Sequence, residues 1–266
     1  MAATSRSARN AMSRSLTIAV GVLGAAFVAW LVTVQRMRGM NGGPGTDLGA
    51  LGWYVGVWVT MMAAMMLPAV LPVVLLFARV SSERMRRGQA AIGTPVFLLG
   101  YFAAWTAFGL VAYAIFRAIV DRHFMFLQWD QQGRYVAAGA IGLAAAYQLT
   151  PLKRICLRHC RSPLALVLGH WREGRFGAFR MGAEHGGWCV GCCWGLMLAL
   201  FAVGVMSIAW MVIIAALIFV EKVLPRGERL TWIIGAVLVG LAIWVTVSPG
   251  SVPWLVQPGG MAGMNM

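Results

Sequence analysis

Acidic side chains are what this chain lacks. Only 8 Asp plus Glu stand among 266 residues, against 22 Lys plus Arg, and charged residues make up just 11% of the chain. With 60% of residues hydrophobic, this composition excludes intrinsic disorder and a soluble enzyme, since a soluble domain of this length cannot bury so much apolar surface. Five cysteines, all between positions 156 and 193, do not make a secreted disulfide scaffold. There is no P-loop, no phosphorylated-Asp motif and no heptad repeat, so no nucleotide and no nucleotide-driven pumping are expected. The net charge of +14 comes in short basic blocks between apolar runs, without base-stacking or helix-turn-helix patterns, so no nucleic-acid partner is expected either. Membrane lipid is the partner this composition implies.

What is present is a series of long apolar runs. A hydrocarbon core about 30 Å thick takes about 20 residues per helix. Seven candidate spans fit, at residues 16–35, 51–79, 94–119, 134–150, 187–203, 206–224 and 229–248. The first follows Arg6, Arg9 and Arg14 as a signal peptide would, but it runs on to Val34 without a small-residue cleavage site and reads as a retained helix. The fold class expected is all-α: a polytopic membrane protein of about seven transmembrane helices. Its organisation is a cytoplasmic N-terminal segment 1–15, one helical domain 16–248 that includes a cytoplasmic Cys/His loop at 151–186, and an exposed Met-rich tail 249–266. With the N-terminus inside, 17 of the 22 Lys and Arg fall in inner segments and 5 in outer ones, the asymmetry that orients membrane proteins. A proton-coupled transporter would need a carboxylate in the middle of a span. Glu221, the one acid near a span, lies beside Lys222 close to its end and reads as half of an interfacial ion pair.

Chemistry concentrates in the segment after the fourth span. Cys156 and Cys160 are spaced i,i+4, so one helical turn stacks both thiols on a face, with His159 beside them. Cys189, Cys192 and Cys193 share a face if the fifth helix starts near Gly187, and His185 sits just before it. Thiolates with imidazole select soft or borderline metals, Cu(I), Zn(II) or iron–sulfur clusters. Packing of small apolar cysteines and a metal-free redox pair are the competing uses. Between the Cys pairs, residues 163–181 alternate apolar and basic side chains in the manner of an interfacial helix on the inner leaflet, joining the fourth and fifth spans.

Methionine is the second chemical feature. Met61, Met62, Met65 and Met66 precede Pro68, where a kink is expected, and Met197, Met206 and Met211 add to the later spans. Thioethers suit Cu(I) as they suit helix packing, so these seven form a candidate metal path. Met261, Met264 and Met266 in the Gly-rich tail are candidates for outer metal capture.

The runs PLKRICLRHCRSP, HGGWCVGCCWGLMLALFAVGVMSIAWM and FVEKVLP, with WVTMMAAMMLP in the second span, resemble a bacterial family of predicted metal-binding integral membrane proteins of unknown function. The resemblance covers roughly residues 50–226. It implies a polytopic membrane fold with a metal site whose suspected ligands map onto Cys156, Cys160, Cys189, Cys192 and Cys193. Ser207 stands where the family's turn leads one to expect Asn. The location implied is a bacterial inner (cytoplasmic) membrane, with the N-terminus cytoplasmic and the C-terminus periplasmic. The leading expectation is a metal-handling protein, with Cu(I) favoured over Zn(II), in a binding, transport or accessory role rather than an enzymatic one. The alternatives are a membrane subunit or assembly factor of a larger complex with a structural Zn(II), and a thiol–disulfide oxidoreductase using Cys192 and Cys193 with His185 as base.

Overall fold

The computed structural model describes residues 2–37, 50–87, 93–120, 134–162, 169, 171–203, 207–224 and 227–252. Among them are eight α-helices and no strand: α1 (Ala2–Met37), α2 (Leu51–Arg86), α3 (Thr94–Val120), α4 (Arg134–Gln148), α5 (Pro151–Arg161), α6 (Gly174–Val203), α7 (Ile208–Val223) and α8 (Gly227–Val247), followed by a 3-10 turn at Pro249–Ser251. Five helices are long and apolar enough to cross a membrane: α1 from Met12, α2, α3, α6 and α8. Among the described residues, five of the expected seven spans thus reach that length as single helices. At 15 and 16 residues, α4 and α7 are about 23 and 24 Å long, short of a 30 Å core. A sixth crossing arises if α4 and α5, bent by 67° at their junction, count as one broken span.

The junction is explicit in the sequence. Pro151 disfavours helix at Thr150, and Thr150 turns N-cap, its hydroxyl accepting the Lys153 amide at 3.2 Å. The segment 151–186, expected as a loop, therefore opens with a helix. The interfacial helix expected over 163–181 is corrected as well: residues 163–168 lie outside the described residues, and 174–181 are the first turns of α6, which begins at Gly174 and not near Gly187. Gly174 has φ +79°, a conformation glycine adopts freely, and it turns the chain into the helix. Helix also starts earlier than expected at the N-terminus, from Ala2. α2 continues through Pro68 and Pro72 as one helix, although each proline removes a backbone donor.

Central α6 touches α3, α4, α5 and α7. Two glycine series make this possible. Gly182 and Gly186, one G-x-x-x-G step apart, abut α3, where a Cβ on Gly182 would stand 1.9 Å from the Phe97 carbonyl oxygen. On another face Gly191 and Gly195 receive Cys156 of α5 and Tyr147 of α4, at 2.9 and 3.1 Å from where a Cβ would lie. α1 packs mainly on α2 and exposes Leu16, Val20, Leu23, Phe27, Val28 and Leu31. α8 likewise exposes Trp232, Ile233, Val237 and Ile243, giving an apolar perimeter that fits a membrane helical protein.

The four segments assigned to one side by charge meet at one end of the bundle. Arg79 of α2 donates to Ser15 of α1 at 3.3 Å, Arg84 pairs with Glu173 at 3.4 Å, and Arg161 of α5 donates to the Leu224 carbonyl just after α7.

Candidate metal centre

Helical periodicity puts Cys189, Cys192 and Cys193 on one side of α6. Cys160 of α5, also buried, comes within electrostatic reach of Cys189 and Cys192. Cys192 and Cys193 lie 3.3 Å apart, sulfur to sulfur, and the Cys192 thiol donates to the Cys189 carbonyl at 3.2 Å. Cys189 is the hub, because its sulfur also meets the Tyr101 hydroxyl of α3 at 2.9 Å and the Lys222 ammonium of α7 at 2.8 Å. All five cysteines are free and buried. Cys156 stands aside, against Gly191, whose carbonyl accepts the Tyr147 hydroxyl.

The sequence placed these thiols at an open helix mouth. Instead they lie in the core: Cys189 is about 22 Å along α6, which continues toward the charged end with Glu184 and Arg180. His185 is inside α6, not before it, and is 2% exposed with no partner on Nδ1. Its ring packs between Phe97 and Tyr101, centroids 6.3 and 6.0 Å away. His159 turns outward and stacks on Trp188 at 4.2 Å.

Below the cluster lies a buried ion pair that sequence reading missed. Glu221 bonds not Lys222 but Lys153, Nζ to Oε2 at 2.7 Å, and Lys153 also donates to the Cys192 carbonyl at 2.5 Å. Gln148 donates to the other carboxylate oxygen at 2.8 Å. The Lys153 and Glu221 charges cancel, which leaves the Lys222 ammonium as the cation facing the sulfurs. A lysine ending an apolar helix was the one available signal for it. Tyr101 carried no signal, because an aromatic in a span reads as packing.

Met61, Met62, Met65, Met66, Met197 and Met211 are all buried in the same core. The four on α2 fall between two levels at which that helix meets its neighbours. At one, Trp58 stacks on Phe201 at 6.0 Å; at the other, Phe77 stacks on Phe97 at 4.8 Å, beside His185. Met206, Met261, Met264 and Met266 lie outside the described residues. Ser207 N-caps α7, its hydroxyl accepting the Trp210 amide at 3.5 Å, a role Asn fills equally well.

Among the described residues, no group of three or more His, Cys, Asp and Glu side chains is arranged to hold a metal ion. The model of a family described as copper chaperone (PpoB2) matches residues 55–245. No curated protein and no solved structure matches the chain.

Proposed function

The chain belongs to this copper chaperone family, matched over 55–245 of its 266 residues, and we propose that it carries Cu(I) as cargo on the buried thiols of Cys160, Cys189, Cys192 and Cys193. The observation that carries this reading is a set of buried thiols, with Cys192 and Cys193 3.3 Å apart and the Lys222 ammonium 2.8 Å from the Cys189 sulfur. A cuprous ion held by two thiolates has a net charge of −1. Burying that charge is costly unless a cation stands beside it. Lys222 supplies that cation and Tyr101 a hydroxyl donor, while Lys153 and Glu221 cancel each other. Soft sulfur ligands supply the metal preference.

In this reading the protein lies in a bacterial inner membrane with its N-terminus cytoplasmic, and the thiols sit toward the reducing side. Met61, Met62, Met65, Met66, Met197, Met206 and Met211 form a thioether route to them. Met261, Met264 and Met266 capture the ion on the oxidising face. Passage between ligands of similar softness keeps successive steps close in energy, as movement through several sites requires.

The test is elemental analysis of the full chain purified in mild detergent under reducing conditions and loaded with Cu(I). About one copper per chain is expected, lost in the Cys192→Ser/Cys193→Ser variant and kept in Cys156→Ser. Equal copper in all three would refute the site. Zn in place of Cu, with stoichiometric partner proteins, would favour an assembly factor instead.

A further inference from the structure

α1 and α2 part at the charged end of the bundle and leave a cavity of about 510 Å³ between them. Its rim carries the guanidinium groups of Arg14, Arg79 and Arg86 with the hydroxyls of Ser15 and Ser82; its floor is Ile18, Ala78 and Val80. One acid, Glu83, also lines it, but that carboxylate is already paired with Arg87 at 3.3 Å. Among the described residues neither Arg14 nor Arg86 has an ion-pair partner, and Arg79 spends its Nε on Ser15. Three cations thus face a space lined by a single acid.

We propose that this cavity binds the phosphodiester headgroup of an anionic phospholipid. A basic pocket with an apolar floor between two apolar helices has the chemistry of such a headgroup at its rim and of the upper acyl chain below. Further along α1, Val20, Leu23 and Phe27 are exposed and give an apolar surface on which an acyl chain can lie. A free phosphate would use the rim and leave the floor without a role. The site lies away from the thiols, and it rests on the reading of α1 and α2 as membrane-spanning, not on copper binding.

The experiment titrates the full chain in neutral detergent with short-chain phosphatidylglycerol, phosphatidylcholine or inorganic phosphate, and follows the mass of the intact complex. One phosphatidylglycerol should bind per chain, and phosphatidylcholine much more weakly. The Arg14→Gln/Arg79→Gln/Arg86→Gln variant should lose roughly a hundredfold in affinity, at about fivefold for each cation near an anionic headgroup. Glu83→Gln removes the only acid of the rim and should bind about fivefold more tightly, a gain that misfolding cannot produce. Unchanged affinity in both variants overturns the proposal. Competition by inorganic phosphate as strong as the lipid overturns its lipid half, leaving an anion site. Release of the chain from membranes by alkaline carbonate would instead refute the spanning reading beneath it.

Discussion

The buried Lys153–Glu221 pair is the sharpest test of how α5 and α7 are held beneath the thiols. In Lys153→Met the methionine replaces an ammonium that is fully buried and removes two hydrogen bonds, to Glu221 and to the Cys192 carbonyl. It leaves a carboxylate that is 2% exposed with only the Gln148 amide for company. Breaking a buried pair from one side costs about 3–5 kcal/mol, because the surviving charge keeps its desolvation penalty and loses its partner. For a chain of this size that is a fall of roughly 10 °C or more in thermal midpoint, at about 2–4 °C per kcal/mol. Replacing both partners, Lys153→Met/Glu221→Leu, removes the stranded charge. What remains is the Cys192 carbonyl without its second donor and the Gln148 amide without its acceptor, about 1 kcal/mol each. The double variant should therefore recover most of the loss. Intrinsic tryptophan fluorescence during heating in detergent, with all four members of the cycle, gives the coupling energy. A coupling below about 1 kcal/mol, or a double variant no more stable than the single, would refute the claim that the pair is dry and mutually dependent.

Two further outcomes follow from the packing around the cluster. Lys222→Met removes the cation 2.8 Å from the Cys189 sulfur; unit charges 4 Å apart attract by about 4 kcal/mol at an effective dielectric of 20, and discounting for the half-exposed side chain leaves a loss of roughly tenfold to a hundredfold in Cu(I) affinity. Competition against a chromophoric Cu(I) chelator measures it, and an unchanged affinity would remove Lys222 from the site. Gly182→Val drives a Cβ to within 1.9 Å of the Phe97 carbonyl oxygen and must push α3 from α6, at a cost above the usual 1–3 kcal/mol of overpacking, whereas Gly187→Val meets nothing within 4 Å and should change stability little. Equal thermal midpoints for the two variants would contradict the close crossing.

Much of the outline is local and therefore legible. Apolar runs of 20 or more residues mark α1, α2, α3 and α8 because hydropathy is a property of each segment alone. The i,i+4 and i,i+3,i+4 spacings of the cysteines put them on helix faces by periodicity. Where reading failed, the deciding contact came from elsewhere in the chain. Residues 174–181, the end of the segment 163–181, look like part of an amphipathic surface helix because their arginines and phenylalanines alternate. They continue α6 because Gly182 and Gly186 let it lie against the α3 backbone, where Phe97 and Tyr101 cover the His185 ring. Glu221 next to Lys222 reads as a pair; on a helix adjacent residues point about 100° apart, so one side chain meets Lys153 and the other Cys189.

The sequence by itself determined that this is a helical chain with segments apolar enough to cross a membrane, which segments are basic, and where its cysteines and methionines concentrate. Those properties are written in composition and period. Tertiary structure alone decided which thiols meet, that Cys160 comes within electrostatic reach of Cys189 while Cys156 stands against Gly191, and which of two adjacent charged residues faces the sulfurs. The physical reason is that a charge inside a low-dielectric core must find its partner in space, and the glycine faces of α6 set which helices come close enough to offer one.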